Sequence, residues 1–353
     1  MSEEVYRRLR EFMDRMPGGY PATKSGVEIK LLKKLFEPDE AEVVMKMGPF
    51  PMPLAQAAKA LGLEEKAAAA KLEVMAKKGQ LFRMRAGNTV LYMAMQFAVG
   101  VYEFSMNRMD RETAELLEEY MKEGALQQLF TRTKTQQLRV VPIQESLPVS
   151  PAVASYDQVR ALVEKHDKFS VAPCICRKEQ ALLGHPCSRP LESCLQFGPA
   201  ADYYVENGLG RSISKEEVFQ ILKKAEEAAL VLSPTNSQEI GSICCCCSCC
   251  CGVIRNLSKF ERPAEIVASG YRAALSAEDC SNCGACLDRC QMAAIEEGDE
   301  RVSILAHRCI GCGLCVPACP EEAIKLLPRP EAAVPPANIA ATMMQIMKER
   351  GLL

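Results

Sequence analysis

Two runs of four cysteines near the C-terminal end constrain the fold of this 353-residue chain more than any other feature. Both runs have the spacing C-x2-C-x2-C-x3-C. The first comprises Cys280, Cys283, Cys286 and Cys290, and the second comprises Cys309, Cys312, Cys315 and Cys319. The C-x2-C-x2-C part presents three thiolates from one tight loop, as an iron–sulfur cube requires. Four-cysteine zinc sites use separate C-x2-C pairs instead, so the spacing predicts [4Fe–4S] clusters.

Residues 276–327 resemble the bacterial two-cluster ferredoxins. Gly284 and Gly313 follow the second cysteine of each run, where the backbone must turn tightly around a cluster. Pro320 follows the last cysteine of the second run, whereas the first run has Gln291 there. The resemblance implies that a helix follows each loop, with starts at 294–295 and 323–324, and carries the fourth cysteine to the other cluster. It implies two ligand sets, namely Cys280, Cys283, Cys286 and Cys319 for one cluster and Cys309, Cys312, Cys315 and Cys290 for the other.

The composition limits the class of protein. Hydrophobic residues make up 48% of the chain and the net charge is −2, so a core can form and no global field favours nucleic acid or membrane. Many of the 19 cysteines are adjacent in sequence, which suits disulfides poorly. The charged start of the chain has no apolar signal core, and no apolar run is long enough to span a membrane. These features predict a reducing, cytoplasmic location.

The pattern of apolar residues predicts an α+β protein with three domains, a helical connector and a C-terminal linker. The predicted units are a winged helix-turn-helix-like domain with an N-terminal helix at 1–98, a helical connector at 99–140, a Cys-rich α/β domain at 141–262, a two-cluster ferredoxin domain at 263–329, and a Pro-rich linker with a C-terminal helix at 330–353. The last helix is predicted over Asn338–Glu349. Its Met-rich apolar stripe could dock on a partner, but a role in covering the chain's own core is favoured.

The N-terminal prediction rests on the order helix, turn, helix, hairpin. Helices are predicted at Val27–Phe36, Pro38–Met47, Leu54–Leu61 and Glu64–Lys78, and a hairpin at Leu81–Met95 that turns at Gly87-Asn88. The segment 27–98 carries eleven Lys and Arg against eight Asp and Glu, and Glu64–Lys78 has no Arg, Asn or Gln for reading bases. A docking or structural module is therefore favoured over a DNA-binding one.

Further elements are predicted between residues 99 and 243. The predicted helices are Tyr102–Met109, Arg111–Met121, Tyr156–Lys165 and one from the capping box at Ser214 to about Leu230, and the predicted strands are Phe169–Ala172, Ala229–Leu232 and Ile240–Ile243, with an extended segment at 138–153.

The other eleven cysteines lie between residues 174 and 251, and their density exceeds any need for packing. The candidate metal ligands are Cys174, Cys176, Cys187, Cys194, Cys244, Cys246, Cys247, Cys249, Cys250 and Cys251. Thiolate-rich sites suit one or two further Fe–S clusters or zinc, and thiol–disulfide chemistry is a third interpretation. The neighbouring ferredoxin segment favours iron. Because alternate residues of a strand face opposite sides, the run at 244–251 should not reach one site as a whole.

Residues 20–327 as a whole resemble a group of winged-helix, Cys-rich, ferredoxin-containing proteins of anaerobes. The matching segments are CICRKE, LESCLQFG, ADYYVENGLGR, ICCCCSCCC and the two cysteine runs. The resemblance implies a redox protein and no particular substrate. The leading hypothesis is an electron-transfer protein with redox partner proteins. The alternatives are a redox-sensing winged-helix transcription regulator and an oxidoreductase subunit with a Cys-rich active site; an electron carrier or oxidoreductase subunit is favoured over a stand-alone enzyme.

Overall fold

The computed structural model describes residues 2–147 and 155–353, so part of the predicted extended segment at 138–153 lies outside the described residues. The N-terminal part is mainly helical. Its elements are α1 Ser2–Asp14, α2 Val27–Leu35, α3 Pro38–Met47, β1 Met52–Pro53, α4 Leu54–Leu61, α5 Glu65–Lys77, β2 Leu81–Ala86 and β3 Thr89–Ala94. The helices α2 to α5 and the hairpin lie within a residue or so of their predicted bounds.

The hairpin belongs to a three-stranded antiparallel sheet of order β1-β3-β2. Gly87 at its turn has a φ of 58°, which glycine adopts without steric cost. The helix α4 ends at Gly62, whose φ is 69°, as the sequence predicted.

The connector is less regular than predicted. Its elements are α6 Tyr102–Phe104, α7 Arg111–Lys122, α8 Ala125–Arg132 and β4 Arg139–Val140. The prediction of one helix over Tyr102–Met109 is wrong, because α6 gives way to a 3-10 turn at Met106–Arg108. The helix α7 begins where predicted, and the Asp110 side chain caps it by accepting a hydrogen bond from the Thr113 backbone nitrogen.

The central part is an antiparallel sheet with helices packed around it. Its elements are α9 Val159–Glu164, β5 Phe169–Pro173, α10 Ile175–Leu182, β6 Glu192–Phe197, α11 Pro199–Glu206, β7 Arg211–Ser212, α12 Lys215–Glu227, β8 Val231–Pro234, β9 Ser242–Cys246 and α13 Gly252–Leu257. The five strands have the order β7-β5-β6-β9-β8. Ser214 caps α12 by accepting from the Glu217 nitrogen, which agrees with the predicted helix start. The predicted helix Tyr156–Lys165 is shorter in the structure.

The C-terminal part consists of short strands, two cysteine loops and a final helix. Its elements are β10 Ala268–Ser269, β11 Tyr271–Leu275, β12 Ile295–Glu296, β13 Ser303–Ile304, β14 Ile324–Pro328 and α14 Ile339–Glu349. The strands pair as β11 with β14 and β12 with β13, both antiparallel, and β10 pairs with β4 in parallel.

The prediction that helices start at 294–295 and 323–324 is wrong, because strands β12 and β14 begin there. The physical reason lies one residue earlier. Ala293 and Glu322 have φ values of 47° and 51°, and a left-handed residue interrupts a right-handed helix. Cys290 and Cys319 themselves lie in irregular backbone beside turns and not on helices.

Two hydrophobic cores organise these elements. The first core joins the N-terminal helices and the connector, and it also takes in Tyr203 and Tyr204 of α11. The second core joins the central sheet to the C-terminal segment, so that Val171 and Leu195 belong to the same cluster as Cys286 and Leu314. The central sheet and the cysteine loops are therefore packed together.

The Pro-rich tail is attached to the central part, which was not predicted for a linker. The backbone nitrogens of Gln238 and Glu239 donate to the carbonyls of Pro336 and Ala337 at 2.8 and 3.0 Å. The helix α14 then buries Ile346 and Met347, in agreement with the predicted core-covering role. In the described parts of the chain, every helix is too short or too polar to cross a lipid bilayer.

Candidate metal centres

The eight cysteines of the C-terminal runs surround two separate cavities. Apolar side chains such as Leu275, Val302 and Ile324 complete the wall of one cavity, and Ala273, Ile304 and Leu314 contribute to the other. The first cavity is lined by Cys280, Cys283, Cys286 and Cys319, and the second is lined by Cys290, Cys309, Cys312 and Cys315. Each cavity thus combines three cysteines of one run with the fourth cysteine of the other run.

Backbone groups around these cavities are arranged in the same way in both runs. The nitrogen of Ala294 donates to the Cys290 sulfur at 3.2 Å, and the nitrogen of Ala323 donates to the Cys319 sulfur at 3.3 Å. Such N–H groups can also donate to a sulfur that binds a metal. Burial raises the pKa of Cys312 to about 12. A buried thiolate at this position therefore requires a compensating cation such as iron.

The cysteines between 174 and 251 fall into two groups, and Cys245 belongs to neither. We call the first group the compact group. It consists of Cys187, Cys247, Cys249 and Cys250, whose four sulfurs all lie within 4.8 Å of one another. Cys187 comes from the loop after α10, and the other three come from the turn after β9. The Cys249 sulfur is 3.6 Å from that of Cys187 and 3.7 Å from that of Cys250.

We call the second group the cavity group, because all its members line an internal cavity of about 180 Å³. It consists of Cys174, Cys176, Cys194, Cys244, Cys246 and Cys251. Cys194 of β6 and Cys244 of β9 are paired across the sheet. Cys176 lies on α10 and Cys251 precedes α13, and their thiols interact with each other. Six cysteines from the sheet and the starts of two helices therefore border one cavity, which Cys245 and Cys247 also help to line.

The division follows from the secondary structure. Strand β9 ends at Cys246, so Cys244 and Cys246 face one side of the sheet and Cys245 faces the other. The chain then turns, and Cys247, Cys249 and Cys250 point away into the compact group. The sequence predicted that the run could not reach a single site, but it did not predict which cysteines form each group.

The cavity also presents acidic and phenolic groups that the sequence analysis missed. Burial raises the pKa of Glu103 to about 8, and burial together with the charge of Cys176 raises the pKa of Glu179 to about 8. The Tyr102 hydroxyl donates to Glu179 and lies 3.6 Å from the Cys176 sulfur. No local sequence signal marks these residues, since the contacts span more than 70 positions along the chain.

Arg177 lies between the two groups. It follows Cys176 of the cavity group, and its Nη2 atom is 3.8 Å from the Cys247 sulfur of the compact group. Burial would lower its pKa, but the charges of Cys174 and Cys247 outweigh that effect and raise it.

The compact group is also connected to the ferredoxin-like segment. Both the backbone nitrogen and the hydroxyl of Ser248 donate to Oε1 of Gln291, each at 2.9 Å. Gln291 directly follows Cys290, which lines the second cavity. Gln291, which departs from the ferredoxin pattern, therefore connects the compact group to the ferredoxin-like segment.

A family model described as a 4Fe-4S binding domain matches residues 302–325. That range contains the second cysteine run. The chain therefore contains an iron–sulfur segment of the ferredoxin type. The first run lies outside the match, so the assignment of its cysteines rests on spacing and on the crossed arrangement around the two cavities. No curated protein and no solved structure matches the chain.

Proposed function

We propose that this protein transfers electrons through two [4Fe–4S] clusters in its C-terminal segment and a further cluster in its central part. The observation that carries the proposal is the crossed arrangement of the eight C-terminal cysteines around two cavities. In this proposal Cys319 completes the cluster of the first run, and Cys290 completes that of the second. Such clusters exchange single electrons without an acid or base catalyst.

The cavity group is the proposed site of the further cluster. It offers six sulfur ligands, whereas a cubane requires four. Thiols that are buried together favour their neutral form unless a metal binds, because desolvation and neighbouring thiolates both oppose ionisation. For example, the pKa values of Cys244 and Cys246 are raised well above the ordinary value, mainly by the interaction with another cysteine of the group.

Two contacts support an electron path from this cluster to the ferredoxin-like clusters. Cys246 of the cavity group is followed directly by Cys247 of the compact group, and Arg177 lies against both groups. Ser248 is then hydrogen-bonded to Gln291 beside Cys290. The path would leave the protein at the C-terminal segment 276–327, which has nine acidic and four basic residues. Such a surface attracts a redox partner with a basic docking face.

The proposal is tested by anaerobic purification, iron and sulfide analysis, and EPR spectroscopy after dithionite reduction. We expect about twelve irons per chain, because three cubanes each hold about four. Cys194→Ala should remove about four irons and leave the EPR signal of the C-terminal clusters intact. A wild-type protein without a reducible EPR signal would rule out the proposal, and about eight irons would rule out the further cluster.

The cavity favours one alternative, an oxidoreductase in which the further cluster acts on a substrate. An enclosed space of about 180 Å³ bordered by thiols, Glu103 and Tyr102 could admit a small molecule. The test is to reduce the clusters anaerobically and to add low-molecular-weight disulfides. Reoxidation that is fast in the wild type and absent in Cys194→Ala supports the enzyme, whereas equal rates support a carrier alone.

The structure disfavours the transcription-regulator hypothesis at the hairpin. Arg83 is buried and forms ion pairs with Glu73 and Glu206, and Arg85 also pairs with Glu206 of α11. Lys71 of α5 pairs with Asp39. Cations that are already paired with carboxylates gain little by binding phosphates. This supports an N-terminal domain that docks on the chain's own central part.

A further inference from the structure

The spacing of the sulfurs in the compact group indicates how many metal ions it can hold. Four sulfurs that are each about 2.3 Å from one zinc ion lie about 3.8 Å apart at the corners of a tetrahedron. The measured separations of 3.6 Å for Cys187–Cys249 and 3.7 Å for Cys249–Cys250 agree with this edge length. In a cubane each thiolate binds a different iron, so the sulfurs lie further apart.

The C-terminal cysteines provide an internal comparison. Within residues 2–147 and 155–353, the compact group is the one set of cysteines whose sulfurs are all within 4.8 Å of one another. Neither set around the C-terminal cavities has all its sulfurs within that distance, which is compatible with cubane ligands. The same structure thus distinguishes a narrow four-sulfur site from two wider ones.

The charges around the compact group support a bound metal, and the sulfur separations then favour a single ion. A divalent ion with four thiolates carries a net charge of −2, and two guanidinium groups contact this site. Nη1 of Arg189 is 3.3 Å from the Cys249 sulfur, and Nη2 of Arg177 is 3.8 Å from the Cys247 sulfur. The two cations match the charge of the complex, whereas four neutral thiols would leave them without an anionic partner.

Arg177 makes this argument stronger because it is buried, with an exposed fraction of 3%. Its other hydrogen bonds go to neutral acceptors, namely the carbonyls of Pro190 and Cys245 and the hydroxyl of Ser193. No carboxylate pairs with it in the described parts of the chain. A buried guanidinium is stable when an anion compensates it, and thiolates are the anions that this location offers.

We propose that Cys187, Cys247, Cys249 and Cys250 bind a single zinc ion in a tetrahedral site, separate from the iron–sulfur clusters. All four positions are protein sulfurs, so the shell is closed and its role is structural. The ion would fix the loop after α10 to the turn after β9. Through Ser248 and Gln291 it would also hold that turn against Cys290.

The test measures zinc, iron and sulfide in the full-length protein purified anaerobically from medium that contains both metals. We expect about one zinc per wild-type chain. Cys249→Ser should lose that zinc and keep the iron and sulfide of the wild type. Cys249 is exposed, which favours a folded variant. Cys245→Ala is the control, since Cys245 lies two positions before Cys247 but is not a member of the group, and this variant should keep its zinc.

A spectroscopic measurement on the wild-type protein adds a readout of the coordination geometry to the metal analysis. Exchange of the ion for Co²⁺ should produce the intense visible and near-ultraviolet bands of a tetrahedral cobalt thiolate, and these bands should be missing in Cys249→Ser. Loss of about four irons with sulfide in Cys249→Ser would overturn the proposal in favour of a cubane. A site occupied by one iron, or by no metal, would overturn the assignment of zinc. None of these outcomes depends on whether the C-terminal clusters carry electrons.

Discussion

The two glycines that follow the second cysteine of each run differ in the space around them, which leads to a quantitative prediction. Gly284 and Gly313 have φ values of 75° and 78°, so alanine at either position is strained by about 1–2 kcal/mol. A Cβ atom on Gly284 would have Leu287 Cδ1 as its nearest neighbour at 3.6 Å. A Cβ atom on Gly313 would lie 2.2 Å from Ser146 Oγ and 2.5 Å from Ser146 Cβ.

The overlap at Gly313 is difficult to relieve because Ser146 is held in place. Its hydroxyl donates to the carbonyl of Ile143 at 2.7 Å, and the nitrogen of Ile143 donates to the carbonyl of Cys312 at 3.1 Å. Overpacking of this kind adds about 1–3 kcal/mol. Gly313→Ala should therefore be more damaging than Gly284→Ala by about that amount, although the sequence positions are equivalent.

Cluster loss is irreversible, so the assay is a rate. We expect cluster absorbance to decay in anaerobic urea with an iron chelator, and Gly313→Ala to lose it about 5-fold to 150-fold faster than Gly284→Ala. Ser146→Gly removes both overlapping atoms, so the double variant Gly313→Ala/Ser146→Gly should approach the rate of Gly284→Ala. Equal rates for the two alanine variants, or no rescue by Ser146→Gly, would refute the reasoning.

Three further predictions concern other parts of the chain. Cys319→Ser, although it lies in the second run, should abolish the cluster of the first run and remove about four irons, which iron analysis and EPR would detect; loss of the second-run cluster alone would contradict the crossed ligation. Glu103→Gln should have the same stability as the wild type at acidic pH and become progressively more stable than it as the pH rises from 4.5 to about 8. The reason is that the buried wild-type carboxyl resists ionisation in the folded state, whereas the carboxyl of the unfolded chain ionises. In thermal unfolding, the variant should have a higher melting temperature than the wild type at about pH 9 but not at about pH 5. Tyr203→Phe should destabilise the protein by about 1–3 kcal/mol, since the buried hydroxyl lies 2.9 Å from the carbonyls of both Ala76 and Leu81; unchanged urea unfolding would show that this contact contributes nothing.

The sequence predicted those elements whose signals are local. The hairpin at Gly87 and the helix that Ser214 caps were predicted because a turn glycine and a capping hydroxyl act within a few residues. The strand β6 was missed because polar residues interrupt its apolar pattern. Ser193 and Gln196 are nevertheless buried, since strands β5 and β9 cover them on either side.

The candidate sites were likewise predictable only where the signal is local in the sequence. The resemblance to two-cluster ferredoxins implied that three cysteines of each run would meet the fourth cysteine of the other run, and the two C-terminal cavities have this lining. That these cysteines bind two clusters stays a prediction. The compact group could not be predicted, since Cys187 joins it from a loop that is about sixty positions away from its partners. The predicted helices after the loops failed at Ala293 and Glu322, whose left-handed backbone carries no clear sequence signature.

The placement of the cysteines implies that folding of the second core depends on metal binding. That core contains buried cysteines from both the central sheet and the C-terminal loops, where the side chains of other proteins would be aliphatic. A protonated thiol packs there as a small hydrophobic group, but it leaves the cavities unfilled and Arg177 without a compensating anion. In the proposed metal-bound protein, the metals would fill the sites, their thiolate ligands would be the anionic partner, and loops that are distant in sequence would be linked. The free energy of metal binding therefore becomes part of the free energy of folding. Because Ser248 and Gln291 join the compact group to the second cavity, loss of metal from the central part should also loosen the segment that holds Cys290.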